Sequence, residues 1–326
     1  MFFSKAALLS AAASLVTAKY ENALYWGSGQ SRSLASYCTA AEGVDIVILS
    51  FLENFGGGNF PNGYIGDCGI NADGSSDGCE GLAKDIDTCK ANGKKVFISI
   101  GGGGASWTFN SDSDAKSVAA SLWNGFANPA HTSKSPRPFG NTFVNGWDMD
   151  IEDNHDNEST EYLGEMINAL RAYFPSDTSN TYYISGAPQC PMPEENMGTS
   201  MMQAKYDYLF IQFYNNNCGA GDLTHPGGNP NGDGTYNLAQ WPAYIANGAS
   251  KSAKLLVGLA GSTTAASGTF DFIPPNELPE LIANSEGVKG FSGVMVWEAG
   301  ETDKSPTNGC TYTQEIRRVL DTGKPC

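Results

Sequence analysis

Three acids, Asp148, Asp150 and Glu152, hold every second position of 145-NGWDMDIED-153, with Trp147, Met149 and Ile151 between them. Successive side chains of a β-strand point to opposite faces, so an i, i+2, i+4 set lines one face and the three carboxyl groups converge. Carboxyls crowded on one surface drive their pKa values apart, which is how one becomes an acid and another a base. The chemistry this suits is proton transfer to a leaving group or from a nucleophile. Spacing alone is weak evidence: with 35 acids in 326 residues, about 0.4 such sets are expected per chain by chance at period two. The apolar residues between the acids argue against an exposed edge strand, because they would then need a core of their own.

The elements that must carry this stretch can be read from apolar runs. Eight runs have the near-continuous hydrophobicity of strands covered on both faces: 23-ALYWG-27, 44-VDIVILSFL-52, 95-KVFISIGG-102, 146-GWDMDIE-152, 182-YYISGAPQC-190, 208-YLFIQFYNN-216, 255-LLVGLAGS-262 and 293-GVMVWEA-299. Between most of them lie segments of helical character at 81–93, 113–127, 158–174, 237–248, 275–285 and 312–323, several with acidic or Ser/Thr entry and Gly exit. Strand and helix in alternation predict a single α/β domain, a (β/α)8 TIM barrel. The acids then sit toward the C-terminal end of the fourth strand, the end on which such barrels build active sites.

The chain opens MFFSKAALLSAAASLVTA, a Lys, an apolar run and a small-residue cleavage pattern, which reads as a secretory signal over 1–18 and leaves 19–326 as the catalytic barrel. No run reaches the length of a transmembrane helix, so a secreted, extracellular protein is expected. Eight cysteines, Cys38, Cys68, Cys79, Cys89, Cys190, Cys218, Cys310 and Cys326, fit an oxidising compartment, although their connectivity cannot be read from spacing. None forms a C-x-x-C pair, and His131, His155 and His225 are far apart, so neither a metal nor a cofactor is expected. A net charge of −16 and a pI near 4.5 argue against nucleic acid as partner. The run 101-GGGG-104 lacks the Lys-Ser/Thr ending of a phosphate loop. Gly101 there suits close approach of backbone to a substrate, or plain loop flexibility. One sequon, Asn157-Glu158-Ser159, follows the fourth strand.

The fourth strand resembles the D-G-x-D-x-D-x-E signature of family 18 glycoside hydrolases, and 99-SIGG-102 resembles that family's S-x-G-G. The stretches 24-LYWG-27, 187-APQCP-191, 211-IQFYNN-216 and 294-VMVW-297 are similar to the plant and fungal class III chitinases, the hevamine-like branch. The resemblance runs in order along essentially the whole mature chain. One departure is Asn145, where the signature has its first Asp. That position carries no proton chemistry in the family, so an altered hydrogen bond is expected rather than lost activity.

The resemblance implies an endo-acting chitinase and makes Glu152 the general acid. Asp150 orients the substrate's own N-acetyl group, whose carbonyl oxygen attacks the anomeric carbon. Asp148 shares a hydrogen bond or proton with Asp150, and Tyr214 donates its hydroxyl to that carbonyl oxygen. Trp297 forms an apolar floor under the sugar, and Tyr25, Phe51 and Gln212 complete the substrate site at other strand ends. The resemblance also pairs Cys38 with Cys89, Cys68 with Cys79 and Cys190 with Cys218, leaving Cys310 with Cys326, and implies cis peptides at Ser50-Phe51 and Trp297-Glu298. The partner expected is chitin or a chitooligosaccharide, with no membrane and no second subunit. Two other functions fit the same signature or barrel: an endo-β-N-acetylglucosaminidase acting on N-glycan cores, and a non-catalytic lectin or inhibitor. Members of the last class usually lack the acid, its Asp partner or the Tyr, all present here.

Overall fold

The structure, a computed structural model, describes residues 19–29, 31–153, 157–224, 235–304 and 306–326. The expected leader at 1–18, His155 and His225 lie outside the described residues, and so do the side chains of the sequon, whose backbone opens the helix Asn157–Tyr173.

Eight parallel strands close into a barrel: β1 (Glu21–Trp26), β2 (Ile46–Leu52), β3 (Lys95–Gly101), β4 (Gly146–Asp150), β5 (Tyr183–Gly186), β6 (Tyr208–Gln212), β7 (Lys254–Ala260) and β8 (Phe291–Trp297). Each pairs with its neighbours in chain order, and β8 pairs with β1. All eight coincide with the apolar runs of the sequence. Those runs are continuous because alternate residues enter two different cores. Val47, Leu49, Val257 and Leu259 pack outward against the helices, whereas Ile46, Ile48, Leu256 and Met295 fill the barrel interior with Phe97, Tyr208 and Phe210.

The same alternation settles how β4 lies. Trp147, Met149 and Ile151 belong to the outer core, and Trp147 meets Trp123 and Phe174 at ring-centroid distances of 5.9 and 5.7 Å. The acids between them therefore face the barrel interior. An edge strand is ruled out, since β4 pairs with β3 on one side and β5 on the other.

The covering helices are less regular than the sequence suggests. Glu80–Ala91, Asp112–Phe126, Asn157–Tyr173, Leu278–Glu286 and Tyr312–Thr322 match expected segments. Ser111 caps the second by accepting the Asp114 amide, and Thr311 and Gln314 close a capping box on the last. The expected helix at 237–248 is only a 3-10 turn, Leu238–Gln240, and a single turn, Trp241–Tyr244, with Pro242 at its start. Beyond it the amides of Ala246 and Gly248 reach back three residues, a tighter winding than an α-helix sustains.

A second, five-stranded sheet escaped the sequence reading. It orders Ser76–Asp77, Cys68–Ile70, Asn59–Ile65, Asn54–Gly56 and Ser106–Thr108, built from the connections after β2 and β3. Its strands are short and glycine-rich, with left-handed backbone at Gly56, Gly57, Gly58 and Gly63, so they lack the apolar run that marks a strand. Phe55 and Trp107 stack at 5.5 Å and join it to the barrel's outer core.

The disulfides are Cys38–Cys89, Cys68–Cys79, Cys190–Cys218 and Cys310–Cys326, as the resemblance implies. The peptides Ser50-Phe51 and Trp297-Glu298 are both cis, and so is Met192-Pro193.

Candidate active site

Barrel register builds the site. Asp148 pairs with Ser99 on β3 and Ser185 on β5, and partners in a parallel pair point to the same side. All three therefore meet inside the barrel. Ser99 donates to Asp148 Oδ2 at 2.7 Å, Ser185 to Oδ1 at 2.6 Å, and Tyr25, from β1, to Oδ2 at 2.7 Å. Asp148 is fully buried, and three hydroxyl donors satisfy its two oxygens. Two residues on, Asp150 is 3% exposed and accepts Gln212 Nε2 at 3.1 Å, while the same nitrogen stands 3.5 Å from Glu152 Oε1 and 3.0 Å from the Ala187 carbonyl. Glu152 lies past the last residue of β4 and is half-buried at the barrel mouth.

Burial raises all three carboxyls, but unequally. Asp148 is held down by its three hydroxyl donors against the rise that burial causes. Asp150 goes well above the ordinary carboxylate range, first through burial and then through the charges of Glu152 and Asp148. Glu152 is raised by burial, with the hydrogen bonds of Gln212 and Asp150 acting the other way. Asp150 and Glu152 hydrogen-bond to each other, so the two titrate together rather than singly. The ladder thus grades from a hydroxyl-solvated carboxylate at depth to a shared proton at the mouth.

The strand ends around the ladder supply an aromatic wall. Phe51 and Trp297 stack at 5.6 Å, and Tyr25 meets Trp297 edge-on at 5.5 Å and Phe51 at 6.0 Å. Tyr214, just after β6, is 5% exposed. Burial, followed by the charges of Asp150, Glu152 and Asp148, pushes its phenol well above the ordinary value, so it stays a neutral O–H donor. Phe51, Glu152, Gln212, Tyr214 and Trp297 line one cleft of about 230 Å³, together with Ser28, Glu53, Gly102–Gly104 and Asn215. A larger groove of about 770 Å³ lies between the loop after β1 and the helix at Glu80–Ala91. It holds no member of the ladder and touches the cleft only at Ser28, so the ladder opens into the smaller space.

Gly101 is not in the cleft lining. Its φ is +112° and a Cβ there would come within 2.0 Å of the Asp150 carbonyl. Close approach does require this glycine, but the approach is to the backbone of β4. Gly102, with φ +90°, is kept bare by the Phe51 ring. Asn145 accepts the Val96 amide through Oδ1 at 3.0 Å at the foot of β4. Asp45 does the same for the Asn22 amide and Asp207 for the Ile184 amide, so Asn145 is one of a set of strand-foot acceptors far from the cleft. Ser99 and Ser185 were missed as site residues; a period-two count inward from Asp148 across neighbouring strands would have found them.

Among the described residues, Cys310, Glu315 and Cys326 form the one group close enough to hold a metal, and its two sulfurs are joined in a disulfide. No helix among them is long and apolar enough to cross a membrane.

Fold and site together define a (β/α)8 barrel with carboxyls graded for acid–base chemistry at its C-terminal mouth. The chain belongs to the glycosyl hydrolases family 18, which it matches over residues 21–289. It is 38% identical over 322 residues to Endochitinase 2 of Metarhizium robertsii, across 94% of this chain and 74% of that protein. Among solved structures, the xylanase and alpha-amylase inhibitor protein XAIP-II from Scadoxus multiflorus is similar at 26% identity and TM-score 0.73, over 94% of this chain and 99% of that one. A chitinase from Ipomoea carnea is similar at 28% identity and TM-score 0.72, over 91% and 98%.

Proposed function

We propose that this chain is a secreted, monomeric endochitinase that cleaves β-1,4-linked N-acetylglucosamine polymers with retention, using the substrate's own acetamido group as nucleophile. The observation that carries this reading is the ladder's geometry: Gln212 Nε2 stands 3.1 Å from Asp150 and 3.5 Å from Glu152, Asp148 is buried behind them, and Glu152 and Tyr214 line one cleft.

Glu152 gives its proton to the glycosidic oxygen as the bond to the anomeric carbon breaks. The acetamido carbonyl oxygen attacks that carbon from the opposite face, and holding both in one bound sugar makes the step intramolecular. As the ring closes, the amide nitrogen becomes partly positive. Asp150, with negative Asp148 beneath it, stabilises the N–H, and the Tyr214 hydroxyl holds the carbonyl oxygen in line. Water then opens the intermediate from the face the leaving group vacated, returning a proton to Glu152. Two inversions restore the β configuration. Phe51 and Trp297 line the cleft and offer an apolar surface to the sugar ring, whereas Tyr25, expected at the same surface, is 1% exposed and packs behind them.

The similarity to an inhibitor protein raises a non-catalytic reading. Against it stands the complete constellation: Glu152 and Tyr214 line one cleft, and Asp150 and Asp148 lie buried behind Glu152 along the strand. A neutral polymer suits a protein of net charge −16, and four disulfides suit an extracellular one. The deciding experiment compares products from chitin oligomers and from a high-mannose glycopeptide. Cleavage of the oligomers at internal bonds supports the reading; release of the glycan alone replaces it with an endo-β-N-acetylglucosaminidase, and no turnover of either with an inhibitor or lectin.

A further inference from the structure

Asn215 directly follows Tyr214 and is one of two non-glycine residues with left-handed backbone among those described, at φ 57°. Asparagine tolerates that conformation better than most residues but still needs surroundings that hold it there. The loop after β7 supplies them from two sides. The Ser267 amide donates to Asn215 Oδ1 at 2.6 Å, and the Asn215 amide faces the carboxylate of Asp271 and favours its charged form.

Asp271 is only 2% exposed, and burial, countered in part by the Asn215 amide, moves its pKa up to about 6. A buried carboxylate is costly unless it has hydrogen bonds to make. The two loops also interlock by shape. A Cβ on Gly219 would stand 3.3 Å from Asp271 Oδ1, and one on Gly221 would stand 2.0 Å from the Phe270 carbonyl. Ala265 and Ala266 of the same β7 loop pack against the inner-barrel cluster that contains Tyr214. Tyr214 itself lies on the connection after β6, directly before the residue so gripped.

We propose that Asp271 is a positioning residue for Tyr214, acting through the backbone amide of Asn215, so that the loop after β7 sets where the phenol hydroxyl meets the substrate. This rests on the reading of Tyr214 as donor to the acetamido carbonyl. Misplacing a reacting group by about an ångström costs up to about 100-fold in rate without requiring loss of substrate affinity.

The test measures kcat and KM on an N-acetylglucosamine tetramer for Tyr214→Phe, Asp271→Ala, Asp271→Asn and the Asp271→Ala/Tyr214→Phe double variant, with thermal melts for folding. Asp271→Ala should lower kcat by about 10- to 100-fold with KM nearly unchanged. Asp271→Asn, whose amide oxygen accepts the same N–H, should recover to within about threefold of the parent. In the Tyr214→Phe background, Asp271→Ala should add nothing, because the hydroxyl it positions is already gone. Losses that multiply, or an Asn variant as damaged as the Ala one, overturn the proposal. Should Asp271→Ala fail to fold, Asn215→Gly keeps the left-handed turn without its side-chain anchor, and the same cycle with Tyr214→Phe decides the matter. A damaged Tyr214→Phe beside a normal Asp271→Ala sinks the proposal alone; a fully active Tyr214→Phe sinks the reading of the site and the proposal with it.

Discussion

Tyr25 and Asp148, 123 positions apart in the chain, meet through a 2.7 Å hydrogen bond in the barrel interior. With Ser99 and Ser185 as the other donors, Asp148 is solvated by hydroxyls in place of water. That keeps a negative charge beneath Asp150 and helps place the shared proton between Asp150 and Glu152. Tyr25→Phe removes one of three donors, so Asp148 holds its own proton more readily. Turnover on chitin oligomers should fall about tenfold with KM little changed, and folding should weaken by about 1 kcal/mol. Steady-state kinetics with a denaturant melt check both.

The pH dependence follows from the same groups. Glu152 must arrive protonated, and burial raises it and Asp150 above the ordinary carboxylate range. The rate should be bell-shaped with an acidic optimum, and it should fall as pH rises through those raised values and the shared proton is lost. A profile of kcat/KM against pH whose alkaline limb is absent contradicts this.

Stability should move the other way from activity in Asp150→Asn. A carboxyl with a raised folded pKa contributes stability that is complete below its unfolded value, about 4, and is lost as pH rises through the folded one. The amide carries no charge to bury. Asp150→Asn should therefore melt about 2–5 °C higher than the parent at neutral pH, with the gap closing at acid pH, while kcat falls. Paired thermal melts at the two pH values test it.

Much of this was legible in the sequence because the physics is local. Period two in 145-NGWDMDIED-153 requires the acids to share a face, and continuous runs such as 46-IVILSFL-52 occur where both faces of a strand are covered. Two kinds of feature were not legible. The sheet formed by Asn54–Gly56, Asn59–Ile65 and their neighbours is held by backbone pairing and left-handed glycines, which leave no hydrophobic period. Contacts such as Ser99 and Ser185 with Asp148, or Asp271 with Asn215, depend on barrel stagger and loop docking, which join residues distant in the chain. The role of Gly101 was misplaced for a related reason: its neighbour is the carbonyl of Asp150 across a strand pair.

Asn145→Asp presents the same oxygen to the Val96 amide that Asn145 does now, so activity should change by much less than tenfold. Asn145→Ala leaves that buried amide without its acceptor and should cost about 1–3 kcal/mol of stability. A denaturant titration of both variants, with turnover, checks the pair.

The Cys190–Cys218 link spans 28 positions, whereas Cys68–Cys79 spans 11. Replacing both cysteines by serine should cost about 1 kcal/mol more for the longer link if chain entropy dominates. It should also lower kcat, because Cys218 lies on the connection that carries Tyr214. Melts and turnover of the two double-serine variants measure both effects.

The most direct measurement is kcat of Glu152→Gln on chitin oligomers alongside its binding of the same oligomers. Glutamine keeps the shape of the side chain and removes the transferable proton. Turnover should drop by about 10²–10⁴-fold or more while oligomer binding stays largely intact. A Glu152→Gln protein that turns over chitin oligomers at near the parent rate would contradict the assignment of the ladder at β4 as the catalytic centre.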